Sequence, residues 1–93
     1  MSKAVVITAA ALDDLSDVVD WLMQPGSGFI AHRKLANIQQ GIAKLATHAL
    51  LHPTDADRPG SRLAIIHGYA VRFQVQPDGS IIVERVFGPG QKR

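Results

Sequence analysis

The chain contains no cysteine, so a disulfide framework and a thiolate zinc site are both excluded. That absence fits a reducing cytoplasm, which is the expected location. No apolar run approaches the roughly 20 residues that cross a bilayer as a helix, so no membrane association is expected. Met1-Ser2-Lys3 leads into a strand-like run and not into a secretory signal with a small-residue cleavage site. There is no internal repeat, no low-complexity tract and no linker-like stretch. At 93 residues a single domain spanning 1–93 is expected, with a small core and modest stability. Acids are scarce in the last part of the chain. From Arg58 onward there are six basic residues against two acids, a net of +4, while the residues before it carry −2. Four of the acids, Asp13, Asp14, Asp17 and Asp20, fall in one helical stretch. A basic sheet over a mildly acidic helical layer suggests an anionic partner for the sheet; an ordinary solvated face is the alternative.

What is present is organised around the last third. Tyr69, Val71, Phe73 and Val75 alternate with Ala70, Arg72, Gln74 and Gln76, the period of a strand with one buried and one polar face. Pro77-Asp78-Gly79 is a turn, because proline presets its φ, Asp bonds its own backbone and Gly accepts positive φ. A second apolar run, Ile81 to Phe87, completes an antiparallel hairpin. An earlier run from Leu63 to Ile66, joined by His67-Gly68, adds a third strand. In the last run both faces are partly apolar, so a bulge or strong twist near Glu84 is expected, and the pattern leaves open which of Ile81 and Ile82 is buried.

Upstream, Ala4 to Thr8 is rich in β-branched residues and predicts a strand of the same sheet. Thr8 can cap the helix marked by Leu12, Leu15, Val18, Val19 and Leu22, with Asp13 and Asp14 near its positive end. Pro25-Gly26 ends it. Ser27-Gly28 opens a long second helix, in which Ala31, Leu35, Ile38, Ile42, Leu45 and Ala49 recur at three- and four-residue steps. Gly41 inside it implies close packing on the first helix or the sheet. His52-Pro53 stops it. Thr54 to Ser61 reads as a surface loop. The result is an α+β fold of order βααβββ, a helical hairpin packed on one face of a mostly antiparallel four-stranded sheet. The long connection through both helices allows the first strand to pair in parallel with a later one.

That order carries recognisable pieces: Ala11-Asp14-Leu15 on the first helix, Leu50-Leu51-His52-Pro53 at the close of the second, Arg62 opening a strand, Tyr69 to Val75 before Asp78-Gly79, and a terminal Val86 to Arg93 reading VFGPGQKR. Together they resemble the RelE/ParE superfamily of bacterial toxins from type II toxin–antitoxin pairs, ParE-like more than RelE-like, over nearly the whole length. The resemblance implies a toxin silenced by a cognate antitoxin whose C-terminal segment wraps over it. It implies one of two actions. ParE-like members bind and poison DNA gyrase and lack a nuclease site; RelE-like members cut messenger RNA in the ribosome with Arg, Lys, His or Tyr side chains on the concave sheet face and near the C-terminus. No His, and no Lys–Arg–Tyr set, stands at the C-terminal positions that nuclease members use, which favours the gyrase mode. Neither action calls for a cofactor. A homodimer and a toxin–antitoxin hetero-oligomer both stay open.

Cleavage through the 2′-hydroxyl needs a base, an acid and cations for the transition state. For the nuclease alternative the candidates are Arg62, Arg72 and Arg85 as cations and His67 or Tyr69 for proton transfer. Arg72 is expected on the face turned away from the helices. Tyr69 shares parity with the buried residues and also reads as core with a hydrogen-bonded hydroxyl. For partner binding the candidates are Trp21, Arg72, Gln91, Lys92 and Arg93. Trp21 is expected partly buried in the helical hairpin; an exposed Trp21 would mark an anchor for a protein partner. His48 and His52, four residues apart, lack a third ligand nearby and are assigned no metal. His32 is expected on the helix surface. An inactive relative kept as a binding module is a third reading.

Overall fold

The structure, a computed structural model, describes residues 4–26, 28–89 and 91. The elements run β1 (Val5–Ile7), α1 (Ala9–Leu22), α2 (Gly28–Ala43), α3 (Leu45–His48), a 3-10 turn (Ala49–Leu51), β2 (Arg62–Ile66), β3 (Tyr69–Val75) and β4 (Ile81–Phe87). The strands lie in the order β1-β4-β3-β2. β1 pairs in parallel with β4, while β4–β3 and β3–β2 are antiparallel. Both helices pack on one sheet face, so the expected α+β architecture and the parallel placement of the first strand hold.

Local chemistry explains most boundaries. Thr8 is the N-cap of α1 and its Oγ1 accepts from Ala11 N at 3.2 Å. The same hydroxyl donates to Glu84 O at 3.1 Å, fixing the helix start to β4. At the β3–β4 turn, Gly79 has φ +87° and Ser80 N donates to Asp78 Oδ1 at 2.9 Å. His67 and Gly68 both have positive φ, +48° and +86°, as a two-residue hairpin loop of the primed type needs.

Three expectations change. The second helix is not continuous: α2 ends at Ala43, Lys44 forms a turn, and a short helix and a 3-10 turn complete the run. Leu45 and Ala49 stay buried through the break, because i, i+4 spacing keeps one face inward whether or not the ladder is unbroken. Asp13 and Asp14 fall beyond the first turn of α1, which begins at Ala9. The stretch 54–61 is not a plain surface loop. Asp55 N donates to Ser61 O at 2.8 Å, Thr54 bridges Arg62, and Asp55 and Ser61 are buried.

The apolar core lies between the helices and one sheet face, where Val71, Phe73, Ile81, Val83 and Val86 meet Ile38, Ile42 and Leu45. The bulge expected near Glu84 is present. Phe73 pairs with Val83 but Arg72 pairs with Arg85, which leaves Glu84 as the extra residue. It switches the parity of β4, so Ile81 and Val83 before it and Val86 after it all face the core. Ile81 is therefore the buried one of the two isoleucines. Gly41 packs on the sheet: a Cβ there would fall on Ile66 Cγ2, far inside contact distance. Among the described residues, no helix is long and apolar enough to cross a membrane.

Candidate functional site

The candidate cations do not form one cluster. Arg62 pairs with Phe73 and shares its face, so it points to the helical side. Its Nη1 donates to His52 O at 2.7 Å and so holds the end of the helical run against β2. Arg72 and Arg85 face each other across β3 and β4 on the opposite side. The expected orientation of Arg72, away from the helices, holds; its expected availability does not.

Arg72 is covered. Its side chain is 9% exposed and faces Asp55, itself 5% exposed, with Nε and Oδ2 at 3.4 Å. Neither of those two atoms has a hydrogen-bond partner among the described residues. The other oxygen, Oδ1, accepts from Asp57 N at 2.9 Å. Arg85 is held by Asp14 of α1, with Nε to Oδ2 at 2.7 Å and Nη2 to Oδ1 at 3.0 Å. β1 pairs with β4 only as far as Val83, and Asp14 also accepts the Val86 N–H of the uncovered edge at 2.8 Å. Partial burial pushes the Asp14 carboxyl up, but the Arg85 and Val86 hydrogen bonds and the Arg85 charge outweigh it and hold the group below its ordinary value. The side-chain hydrogen bonds to Asp14 and the Asp14 charge in turn raise Arg85. Both guanidiniums lie over the Phe87 ring, at 5.0 and 5.1 Å from its centroid.

A third pair completes this face. Glu84, displaced by the bulge, accepts from Ser61 Oγ and from Gln74 Nε2 and lies 3.9 Å from Arg58. The shallow groove here is lined by Thr8, Arg58, Gln74 and Ile82 together with those charges. Each of its three arginines thus faces a carboxylate. The basic sheet expected from the charge asymmetry is neutralised locally by Asp14 and Asp55, which come from elsewhere in the chain.

The remaining candidates are dispersed. Tyr69 is buried on the helical side with Lys34 Nζ 5.7 Å from its ring. His67 is exposed at the hairpin tip, beyond Tyr69 and away from the arginine pair. Neither stands beside Arg72. Trp21 is 69% exposed, which corrects the expected partial burial, since α1 turns Ala11, Leu15, Val18 and Leu22 to the core instead. Gln91 Oε1 accepts from Gly88 N at 2.6 Å and closes the turn after β4. Lys92 and Arg93 lie outside the described residues. His48 Nδ1 sits 2.7 Å from Thr47 Oγ1, and His52 meets Phe73 edge-on. No group of three or more metal-ligating side chains occurs among the described residues.

Sequence reasoning missed Asp14 and Asp55. Asp14 carried a signal: it lies three residues after Ala11 and four before Val18, on the apolar stripe of α1, where a carboxylate needs a partner. Asp55 carried none, because a polar loop gives no parity.

The comparisons agree with the fold. A family model described as the ParE toxin of the type II toxin–antitoxin system parDE matches residues 5–91. Among solved structures, the chromosomal ParDE toxin–antitoxin system of P. aeruginosa is similar at 18% identity and TM-score 0.78, covering 95% of this chain and 97% of that one. The toxin–antitoxin complex RelBE2 of Mycobacterium tuberculosis is similar at 18% identity and TM-score 0.68, covering 95% and 99%. No curated protein matches the sequence. With a family model spanning nearly its whole length, the chain belongs to the ParE toxins of type II toxin–antitoxin systems.

Proposed function

We propose that this ParE-family toxin inhibits growth by binding and poisoning a protein target, DNA gyrase in the first place, and that a cognate antitoxin neutralises it. The observation that carries the choice of mode is the pairing of Arg72 with Asp55 and of Arg85 with Asp14. A nuclease needs cations free to meet phosphate and a proton-transfer group beside them. Here Arg72 and Arg85 are already neutralised, Arg62 is bonded to the His52 carbonyl on the helical side, and His67 and Tyr69 stand apart from the arginine pair. Recognition then falls to the helical hairpin and the segment after β4, where Trp21 is exposed. The antitoxin partner is supported by the two similar structures, both of which are toxin–antitoxin systems.

Induced expression in bacteria tests this reading. Growth arrest with intact messages, broken DNA and inhibition of gyrase supercoiling by the purified toxin is the expected result, with relief on co-expression of the adjacent small reading frame. Messages cut within codons during translation would replace it with the ribosome-dependent endonuclease. A double substitution, Arg72→Met with Asp55→Asn, adds a second arm. It removes both charges while Asn keeps an acceptor for Asp57 N. Toxicity should survive it.

A further inference from the structure

A cleft of about 250 Å³ runs between α1 and the segment after β4. Val18, Val86 and Pro89 give it an apolar floor, and Asp14, Asp17, Trp21, Tyr69 and Gln91 stand around it. Trp21 follows Asp17 by four residues, so the carboxylate and the indole share one side of the helix. α1 carries Asp13, Asp14, Asp17 and Asp20 and no Lys or Arg. Arg85 neutralises Asp14, whereas Asp13, Asp17 and Asp20 have no ion-pair partner among the described residues.

An open aromatic face beside an uncompensated carboxylate, over an apolar floor, fits a cation on an apolar stem. Such a group would place its charge over the indole and against Asp17, and its methylenes along Val18 and Pro89. A neutral or acidic segment would leave Asp17 without a partner at the edge of a closed contact. The neighbouring ring already shows this chemistry, since Tyr69 holds Lys34 Nζ at 5.7 Å. Trp21 has no such cation among the described residues.

We infer that this cleft receives a Lys or Arg side chain, flanked by apolar residues, from the cognate antitoxin, with Trp21 over the charge and Asp17 as its counter-ion. The inference rests on the antitoxin pairing proposed above. It assigns an electrostatic anchor to what would otherwise be an apolar docking surface.

Trp21 is the only tryptophan of the chain, so its emission reports this cleft directly. The probes are overlapping synthetic peptides spanning the cognate antitoxin, taken as the protein whose co-expression relieves toxicity, with any tryptophan replaced by phenylalanine. Each is also made with its Lys and Arg replaced by norleucine and citrulline. One basic peptide should shift Trp21 emission saturably, and its neutral counterpart should bind roughly tenfold more weakly. Asp17→Asn should lose a similar factor toward the basic peptide and little toward the neutral one, as a coupled pair requires. Equal binding of basic and neutral peptides, or tight binding without a Trp21 response, overturns the inference while leaving the antitoxin reading intact. Failure of the whole antitoxin to bind wild-type toxin overturns both. Peptide binding that appears only in the Lys92→Gln, Arg93→Gln variant assigns the cleft to the chain's own terminal residues and overturns the intermolecular assignment.

Discussion

The two faces of the sheet are built from the same strands and closed by opposite means. On the helical face Val71, Phe73, Val83 and Val86 are sealed by aliphatic side chains of α1, α2 and α3. On the other face Arg72, Arg85 and Glu84 are closed by Asp55, Asp14, Ser61 and Arg58, with Phe87 beneath the guanidiniums. Apolar closure is non-directional and tolerates small shifts. Closure by charges holds only while each partner is present, because a buried charge left alone is costly. A strand face that reads as basic can therefore be electrically neutral in the folded chain, and nucleic-acid binding does not follow from the count of its arginines.

The comparison can be tested by damaging each face in turn. The largest loss is expected on the apolar side: Phe73→Ala should cost about 3–5 kcal/mol in urea unfolding, from lost burial plus the cavity. If that variant loses less than the charged-face variants, the helical face is not the main source of stability. Arg72→Ala should follow at about 3 kcal/mol, because it strands Asp55 without a counter-charge. The double substitution Arg72→Met, Asp55→Asn should recover most of that loss. If it is as unstable as the single variant, the ion pair is not what closes this face. Gly41→Ala should destabilise by about 1–3 kcal/mol through overpacking on Ile66, against a helix-propensity gain of about 1 kcal/mol. Adding Ile66→Ala should turn the glycine substitution stabilising relative to the Ile66→Ala parent.

Smaller effects refine the picture. Thr8→Ala should cost about 1 kcal/mol as a lost N-cap, with the bond to Glu84 O lost as well. For Asp14 the folded-state pKa lies below the unfolded one, so its contribution is present above the unfolded value and disappears as pH falls through the folded value. The difference in urea midpoint between wild type and Asp14→Asn should be constant from neutral pH down to about 5 and shrink below about 4. A difference independent of pH throughout would show that Arg85 gains nothing from the ionised form.

Parts of this outcome were legible from residues and parts were not. The period of Tyr69 to Val75 identified β3 and its buried face, and the mixed faces of Ile81 to Phe87 required the bulge at Glu84. The helical spacing of Ala31 to Ala49 identified the packed face but not the break at Lys44, since a turn can interrupt the hydrogen-bond ladder without moving the apolar positions off one side. Of the site, parity gave the side on which Arg72 lies. It did not give the side of Arg62, which depends on register with β3, or the exposure of Trp21, which depends on how α1 is rotated on the sheet.

By itself, the sequence determined the four strands, the first helix, the order of the elements and the family pattern, because strand and helix periods, caps and turn residues act over a few neighbours along the chain. Only the tertiary structure decided whether the arginines are free. Their counter-ions arrive from α1, 71 residues away from Arg85, and from the loop before β2. Charge neutralisation acts through space, and separation along the chain carries no record of it.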